Sequence, residues 1–427
     1  MFNLETFLRE EVKPALGCTE PGAVALAVAR ARRELDPEDQ VISVNVTVSE
    51  GIYKNGFGVC LPGMGGLRGN ALAAALSLLC GNPQYGLEVL KDCNKEHLPL
   101  ALRWIQDGRI RVNLDPFKPE PYVEATLLSP KHSVTSIIAE SHSQIVKVIK
   151  DGAVVFEALP SPSRASIGRL LFRDLINLAL EADEKAIGHA LEAIRVNERI
   201  AEYGAQISTW PSANNEAASQ GLMCGLDKKD LGYRIRATCY AASYARMIGV
   251  KLPVMACAGS GNQGITATLP ISVAGQALNT NFSEIGQATI ASLLITSYVR
   301  SHLGRLSPLC GCVLAAGSGA AAGLTLLMGG SGEQAAEAVK LLLANIAGVL
   351  CDGAKETCAL KVGTAAHEAY LAAQCALQGR ELGCSPSVAS GTVEQAIKNV
   401  ARVGNEGMRQ ANNVIIEVLE NRRRIEQ

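Results

Sequence analysis

Two long stretches without a charged side chain constrain this 427-residue chain more than any other feature. They run from Leu252 to Ser283 and from Leu306 to Gly332, and each is long enough to cross a bilayer. The first is interrupted by Gly259 to Gly264 and by Pro253 and Pro270, which would leave backbone groups without partners in lipid. The second consists mainly of Ala, Gly and Leu. We therefore favour buried helices at the centre of a helical domain over membrane spans.

The charge balance of the chain excludes several classes of partner. Lys and Arg number 40 against 41 Asp and Glu, so nothing indicates nucleic acid or an anionic membrane as a ligand. We expect a small-molecule substrate, and a homodimer is an assembly that the sequence allows. Met1 to Glu11 is charged and lacks the apolar segment of a secretory signal. The expected location is cytoplasmic, where the thirteen cysteines would stay reduced.

Hydrophobic periodicity divides the chain into three regions. Alternation with a period of two predicts strands at Val41 to Val48, Tyr122 to Leu128, Val134 to Ala139, Gln144 to Ile149 and Ala153 to Glu157. Helical patterns dominate the rest. We predict an α+β fold, in which a smaller α/β sandwich domain is inserted after the N-terminal helix of a mostly helical catalytic domain. The predicted parts are residues 1–36, a helical segment that packs on the C-terminal domain, residues 37–162, the sheet domain, and residues 163–427, the all-helical domain.

One cysteine lies where a helix is predicted to begin. Cys18 belongs to Gly17-Cys18-Thr19-Glu20-Pro21, a break that Thr19 would cap before an alanine-rich helix. The N–H groups at a helix start carry partial positive charge, which favours a thiolate and therefore a reactive cysteine. The alternative is a small apolar side chain that fills space beside the helix, the commoner role of a lone cysteine.

Four cysteines near the C-terminal end have spacings that allow a metal site. Cys351 and Cys358 bracket an Asp-Gly turn, and on an unbroken helix they would stand about 10 Å apart, too far to share a compact cluster. The chain must therefore turn between them if both are ligands. Cys310-Gly311-Cys312 lies at the entry to the second charge-free stretch. Three thiolates would leave one iron of a 4Fe-4S cluster open, but structural cysteines in a reduced core are the alternative.

Two polar loops could hold a small substrate. The run Gly259 to Gly264 combines glycines, which let a backbone approach a ligand, with the polar side chains of Ser260, Asn262 and Gln263. A carboxylate suits this run, whereas the lysine of a phosphate-binding P-loop is missing from it. The second loop is Glu140-Ser141-His142-Ser143, between two predicted strands. Its histidine is either a substrate ligand or a hydrogen-bonded surface residue.

Taken together, these segments resemble those of a known family. The loop Gly17 to Pro21, the run Gly259 to Gly264, Leu309-Cys310-Gly311-Cys312 and Cys351-Asp352-Gly353 with Cys358 resemble the L-cysteine desulfidase family over nearly the whole chain. That family is similar to the α chain of iron-sulfur L-serine dehydratases, in which three cysteines hold a 4Fe-4S cluster in an all-helical domain. The resemblance implies a 4Fe-4S cofactor in residues 163–427. The implied ligands are Cys312, Cys351 and Cys358, and Cys310 is the alternative to the first of them.

The resemblance also implies an activity. It indicates a lyase that converts L-cysteine to pyruvate, ammonia and sulfide, with the open iron as a Lewis acid toward the leaving sulfur. Cys18 would be the thiolate that removes the Cα proton. The implied substrate-binding residues are Ser260, Asn262, Gln263 and His142. L-Serine is the alternative substrate, because hydroxide and sulfide leave by the same geometry. A non-catalytic iron-sulfur or thiol sensor is the alternative outside the enzyme class.

Overall fold

The computed structural model describes residues 2–158, 167–208, 230–304, 307–381, 383 and 386–426. Its helices are α1 (Leu4–Glu11), α2 (Thr19–Arg32), α3 (Glu50–Phe57), α4 (Asn70–Cys80), α5 (Leu98–Gln106), α6 (Phe172–Leu180), α7 (Glu184–Ile207), α8 (Leu231–Met247), α9 (Gly261–Leu278), α10 (Phe282–Leu303), α11 (Gly311–Leu327), α12 (Gly332–Ile346), α13 (Cys358–Leu377), α14 (Val393–Arg402) and α15 (Ala411–Glu426). Its strands are β1 (Lys13–Leu16), β2 (Ser43–Val48), β3 (Ile110–Leu114), β4 (Val123–Leu128), β5 (Ser133–Ile138), β6 (Ile145–Lys150), β7 (Ala153–Glu157) and β8 (Pro253–Ala256). The predicted α+β fold is confirmed, and each predicted strand is present.

One layer of the protein is a six-stranded sheet with the strand order β3-β2-β4-β5-β6-β7. The neighbours β2 and β3 are parallel and the remaining pairs are antiparallel, so the sheet is mixed. Along β2 the side chains of Val44, Val46 and Val48 are buried, and the polar residues between them are half-buried. Helices α2, α4 and α5 cover this face and share one hydrophobic core with it.

The second layer is a helical domain with α11 at its centre. Every residue of α11 from Val313 to Thr325 is buried, and so is α9 from Gly261 to Gly275. Small residues make this packing possible, because a Cβ at Gly319 would stand only 2.2 Å from the hydroxyl of Thr296 on α10. The two charge-free stretches therefore contain buried helices, as predicted. None of the helices in the described residues combines the length and the apolar character that crossing a membrane requires.

The N-terminal segment is divided between the two cores. Phe7 and Leu8 of α1 pack in the helical core, whereas Ala23 to Ala31 of α2 pack against the sheet. The division of the chain after residues 36 and 162 stays a prediction, and the second boundary lies among residues 159–166, outside the described residues. The sequence pattern also predicts a helix from Asn214 to Ile248, and this range contains α8. Residues 214–229 lie outside the described part of the chain.

Three short elements differ from the sequence-based expectation. β1 and β8 form a two-stranded antiparallel sheet that periodicity does not indicate. The segment Lys54-Asn55-Gly56, whose composition suggests a turn, lies inside helix α3. Cys80 and Cys93 form a disulfide within the sheet layer, so the expectation that all thirteen cysteines are reduced is wrong for this pair.

Candidate active site

The two-stranded sheet brings the N-terminal cysteine loop to the helical domain. Lys13 pairs with Ala256 and Leu16 with Pro253, so the start of β1 lies beside the turn after β8. The end of β1 lies beside the connection between α8 and β8. The turn at residues 257–260 is closed by two backbone hydrogen bonds of 3.0 and 3.1 Å. The Cys18 loop follows the other end of β1, and Arg246 links it to the start of α9, because its Nε donates to the Gly17 carbonyl at 3.0 Å and lies 2.5 Å from the position of a Cβ at Gly261.

A second backbone pairing gathers the C-terminal cysteines. The Cys310 amide donates to the Val349 carbonyl at 2.8 Å, and the Cys351 amide donates to the Pro308 carbonyl at 2.6 Å. These bonds form an antiparallel bridge between the entry of α11 and the segment that follows α12. Two segments about forty residues apart in sequence are thereby held side by side, each carrying a cysteine.

Four cysteine side chains meet where these segments join, and we call Cys310, Cys312, Cys351 and Cys358 the cysteine site. Cys310 is the N-cap of α11, Cys312 lies in its first turn, and Cys358 is the first residue of α13. The pKa values of Cys310, Cys312 and Cys358 respond to neighbouring cysteines of the group, Cys351 among them, so the four sulfurs lie within electrostatic range of one another. The chain between Cys351 and Cys358 turns at Gly353, where φ is 97°, so the predicted turn is confirmed.

Hydrogen bonding and burial shift the pKa values of these thiols in opposite directions. Cys312 donates to Cys310, which lowers the pKa of Cys310 to about 6 and raises the pKa of Cys312 well above its usual range. Burial, followed by the charge of Cys310, raises the pKa of Cys358 to about 12. The ammonium of Lys361 lies beside the site and donates to the Asp352 carboxylate. A fixed cation at this position favours thiolates over thiols.

The donor set fits an iron-sulfur cluster better than a single metal ion. Among the residues that the structure describes, no three His, Cys, Asp or Glu side chains are arranged to hold one ion. In a 4Fe-4S cluster each thiolate binds a different iron, so the ligand sulfurs stand farther apart than around one ion. Because Cys310 and Cys312 hydrogen-bond to each other, in this arrangement they offer one ligand position between them. Cys351 and Cys358 would be the second and third positions if a cluster binds here.

Cys18 lies beside the cysteine site in surroundings that disfavour a thiolate. It is the N-cap of α2, in place of the predicted Thr19, and it packs in a small buried core that Cys358 also contacts. The Cys18 thiol donates to Glu20 Oε2 at 2.7 Å. Burial first, and then the Glu20 carboxylate, raise the pKa of Cys18 well above its usual range. Burial and a neighbouring negative charge therefore outweigh the helix start and disfavour the expected thiolate.

Glu20 connects Cys18 to polar groups of the sheet layer. Its other oxygen, Oε1, accepts from Asn55 Nδ2 at 2.8 Å and lies 3.9 Å from His142 Nε2. Burial works to raise the pKa of Glu20, but the charge of His142 and the hydrogen bonds from Cys18 and Asn55 outweigh it and lower the pKa. Asn55 Oδ1 lies 4.0 Å from Cys351 Sγ. The amide of Asn55 therefore links the Glu20 carboxylate to the cysteine site.

The two predicted polar loops meet at His142. A Cβ at Gly259 would stand 2.9 Å from His142 Nδ1, and the φ of Gly259 is 80°, so this position requires glycine on both counts. Lys13 Nζ donates to Ser143 Oγ at 2.6 Å and holds the loop of His142 against β1. The imidazole is mostly buried and faces the same cavity as Glu20. This location differs from that of a solvated surface histidine.

The other three predicted substrate-binding residues begin α9. Ser260 is its N-cap. Asn262 is buried, and its side-chain carbonyl accepts from Ser243 Oγ at 3.2 Å, so this amide is engaged within the helical domain. Gln263 is also buried, and its Nε2 would lie 3.5 Å from a Cβ at Gly311, the residue between Cys310 and Cys312. Of the three residues, Gln263 is the one that the structure brings to the cysteine site.

A cavity of about 670 Å³ opens at this junction of the two layers. Glu20, Asn55 and His142 line it, together with Arg300 of α10. Glu120 lies on its wall, where burial raises the pKa of the carboxyl group to about 7. A volume of this size is typical of small-ligand sites and accommodates a free amino acid.

Sequence reasoning missed the roles of Glu20 and Asn55. Glu20 is the sole charged residue between Leu16 and Arg30, and a lone charge in an apolar segment that is buried needs a partner. That signal identifies Glu20 in retrospect. No comparable signal exists for Asn55, because the short helix α3 looks like a turn in the sequence.

Comparison with known sequences identifies the relatives of this chain. A family model described as the serine dehydratase alpha chain matches residues 84–417. The chain belongs to the serine dehydratase alpha chain family. A UPF0597 protein of Kosmotoga olearia is 37% identical over 429 residues, which cover 98% of this chain and 99% of that protein. A UPF0597 protein of Caldanaerobacter subterraneus subsp. tengcongensis is 36% identical over 424 residues, which cover 97% of each chain.

Membership of the serine dehydratase alpha chain family confirms the resemblance at the level of a serine dehydratase-like protein and indicates a lyase. The matched residues include the whole cysteine site, His142 and the start of α9. Cys18 and Glu20 precede the match, but they lie within the length that the chain shares with its UPF0597 relatives. The family match alone therefore covers the proposed metal centre and not the buried thiol-carboxylate pair.

Proposed function

We propose that this serine dehydratase-like chain is a lyase that eliminates hydrogen sulfide from L-cysteine, with a 4Fe-4S cluster as its cofactor. The observation that supports this most strongly is that Cys18 donates to Glu20, which lines the cavity, and lies in the small buried core against which Cys358 of the cysteine site packs. L-Cysteine would give 2-aminoacrylate and hydrogen sulfide. Water then converts 2-aminoacrylate to pyruvate and ammonia, so no oxidant or reductant is consumed.

The proposed ligands of the cluster are Cys312, Cys351 and Cys358, with Cys310 as the alternative to Cys312. When bound, the cluster supplies an iron with an open position that acts as a Lewis acid toward the leaving sulfur. Burial works to lower the pKa of Lys361, but Asp352 and the neighbouring thiols outweigh it and raise the pKa. Lys361 therefore keeps a positive charge that offsets the negative charge of the bound thiolates.

Cys18 and Glu20 act together as the base in this proposal. A thiol with a raised pKa takes the Cα proton only if its own proton leaves, and Glu20 Oε2 is the acceptor in contact with it. The Cα proton passes to Cys18 Sγ while the Cys18 proton passes to Glu20 Oε2. The electron pair of the Cα–H bond forms the double bond as the carbon-sulfur bond breaks. Asn55 and His142 hold the other oxygen of Glu20, which leaves Oε2 directed at Cys18.

Residues at the start of α9 and His142 hold the amino acid in this proposal. Gln263 lies closest to the cysteine site, and Ser260 and His142 flank the same turn. Asn262 acts indirectly, because its bond to Ser243 fixes the first turn of the helix. A buried polar pocket of this kind orients a zwitterion so that its side-chain sulfur points toward the cysteine site.

L-Serine is the second candidate substrate. The description of the matched family as serine dehydratase alpha chain favours it. The Cys18-Glu20 pair would remove the same Cα proton, and hydroxide would leave in place of sulfide. The two candidates differ in the atom that leaves, and a thiolate sulfur is the softer ligand for iron.

A single assay separates the two candidates. Protein reconstituted anaerobically with iron and sulfide is incubated with L-cysteine and L-serine in separate reactions, and pyruvate and sulfide are measured. We expect equal amounts of pyruvate and sulfide from L-cysteine, with a kcat/KM at least about tenfold above that for L-serine. Pyruvate from L-serine alone would make the protein a serine dehydratase. Absence of product from both amino acids, in protein that has acquired its iron, would reject both functions.

A further inference from the structure

A buried arginine at the site has a donor that no described residue uses. Arg246 lies near the end of α8 and is 2% exposed. Its Nε donates to the Gly17 carbonyl at 3.0 Å, but Nη2 is buried without a hydrogen-bond partner among the described residues. Burying a charged donor in this way costs free energy unless a ligand accepts from it. The observation therefore points to an anion that binds here.

The guanidinium of Arg246 packs against the first residue of α9. A Cβ at Gly261 would stand 2.5 Å from Arg246 Nε and 2.8 Å from its Cζ, so glycine is required for this approach. Ser260, the N-cap of this 18-residue helix, makes no capping hydrogen bond through its side chain within the described structure. The first N–H groups of α9 are thus available to another acceptor. A guanidinium and a helix start at one place form an anion site.

A buried acceptor without a partner lies on the same turn of α9. Gln263 is 4% exposed, and its Oε1 makes no hydrogen bond to any part of the chain that the structure describes. The first turn of α9 thus presents one unused donor, from Arg246, and one unused acceptor, from Gln263. The Cα of a free amino acid carries an accepting carboxylate and a donating ammonium group. The two unused protein groups complement these two substrate groups.

This donor and acceptor lie between the two chemical parts of the site. The charge of Arg246 acts to lower the pKa values of both Cys18 and Glu20, so its guanidinium is within electrostatic range of the pair. The amide of Gln263 reaches the segment that carries Cys310 and Cys312. An amino acid held by both would have its Cα near the base and its side chain directed at the cysteine site.

We infer that Arg246 binds the α-carboxylate of the substrate and that Gln263 accepts a hydrogen bond from its ammonium group. The inference rests on the proposed function for the identity of the substrate as an amino acid. If Arg246 binds the carboxylate, tight binding of a ligand requires that group. A ligand that lacks the carboxylate leaves the buried guanidinium without an acceptor, and such a ligand therefore binds more weakly.

Two truncated analogues of L-cysteine test this assignment. 3-Mercaptopropionate keeps the thiol and the carboxylate but lacks the amine, and cysteamine keeps the thiol and the amine but lacks the carboxylate. Each is titrated anaerobically into the iron-loaded protein while the visible absorbance of the cluster is followed, so that no turnover is needed. Arg246→Met should weaken the binding of 3-mercaptopropionate by about 10- to 100-fold and leave the affinity for cysteamine unchanged. Gln263→Leu should weaken the binding of cysteamine and leave the affinity for 3-mercaptopropionate unchanged.

Two further variants make the test decisive. Arg246→Lys keeps the positive charge without the planar fork of donors. It should therefore weaken the binding of 3-mercaptopropionate less than Arg246→Met does. Arg234→Met, on the same helix and half-buried, is the matched control that should change neither affinity. Equal effects of Arg246→Met on both thiols, or no effect on either, would overturn the assignment.

Failure of the proposed function gives a different result. In that case neither thiol perturbs the spectrum of the wild-type protein, or the protein acquires no cluster. The assignment of Arg246 is then tested by calorimetric titration of the cluster-free wild-type and variant proteins with the same two thiols. A preference for 3-mercaptopropionate that Arg246→Met abolishes would support the carboxylate site by itself, and the absence of a preference in the wild type would reject it.

Discussion

The helical layer and the sheet layer contribute different chemistry to the same site. The helical layer supplies sulfur, from cysteines at the starts of α11 and α13 and on the segment after α12. The sheet layer and its helices supply oxygen and nitrogen, from Glu20 of α2, Asn55 of α3 and His142 of the loop between β5 and β6, together with the Cys18 thiol at the start of α2. In our account the first set holds the metal and the second moves the proton.

The way each layer holds its groups also differs. In the helical layer Cys310, Cys312 and Cys358 lie at helix N-termini, fixed by buried helices of small residues that pack closely. In the sheet layer they reach the site from a helix start, a short helix and a loop, and they are linked to one another by hydrogen bonds through Glu20. Substitutions in the two layers should therefore have separable effects, on cofactor content and on turnover respectively.

The largest expected effect comes from the cysteine site. Cys351→Ser and Cys358→Ser should each abolish both bound iron and turnover, because a serine hydroxyl stays protonated and is a poor ligand for iron. Iron and acid-labile sulfide per chain measure the first effect, and sulfide release from L-cysteine measures the second. Cys375→Ser is the matched control, since Cys375 is exposed on the same helix as Cys358. Full iron content in Cys351→Ser or Cys358→Ser would contradict the proposed ligand set.

The same measurement decides between the two neighbouring cysteines of α11. If Cys312 is the third ligand, Cys312→Ser loses iron while Cys310→Ser keeps it. The reverse result would assign the ligand to Cys310. Retention of iron in both variants would exclude this segment from the metal centre altogether.

The next largest effect is expected from the proton-transferring pair. Glu20→Gln should lower kcat by about 10² to 10⁴ and keep the full iron content, because an amide does not accept the Cys18 proton. Cys18→Ser should behave in the same way. The double variant should be little worse than either single one, since the two residues act in one step. Additive losses in the double variant, measured by steady-state kinetics, would mean that the residues act independently.

A smaller effect is expected from the amide that links the two layers. Asn55→Ala removes a hydrogen bond that lowers the pKa of Glu20, so the pKa should rise and the acidic limb of kcat/KM should move to higher pH. The loss of kcat/KM at neutral pH should be about tenfold or less. A pH profile with its acidic limb unchanged would show that Asn55 does not tune Glu20.

The sequence predicts the elements of both layers well but not the contacts that join them. Val44, Val46 and Val48 alternate with polar residues because one face of β2 is buried, and the charge-free run of α11 reflects burial on all sides. These patterns are local. The pairing of β1 with β8 depends on contact between residues that are distant in sequence, and two strands of four residues leave no periodic signal.

The sequence likewise indicates some residues of the site but not the contacts between them. Cys18 and His142 are visible in the sequence as residues of reactive type in polar or glycine-containing loops. The raised pKa of Cys18 is not visible in the sequence, because it follows from burial and from contact with Glu20. Arg246 is one arginine among several along α8, and only the structure shows that its Nη2 is buried and lies near the start of α9.

Mössbauer spectroscopy of protein reconstituted with isotopically enriched iron tests the central claim most directly. The spectra are recorded with and without L-cysteine in the Glu20→Gln variant, which should bind the amino acid without consuming it. Our account predicts that the signal of about a quarter of the cluster iron shifts on adding L-cysteine, because one iron lacks a protein ligand. A spectrum in which no iron responds, or in which all respond alike, would contradict a three-cysteine cluster with an open position.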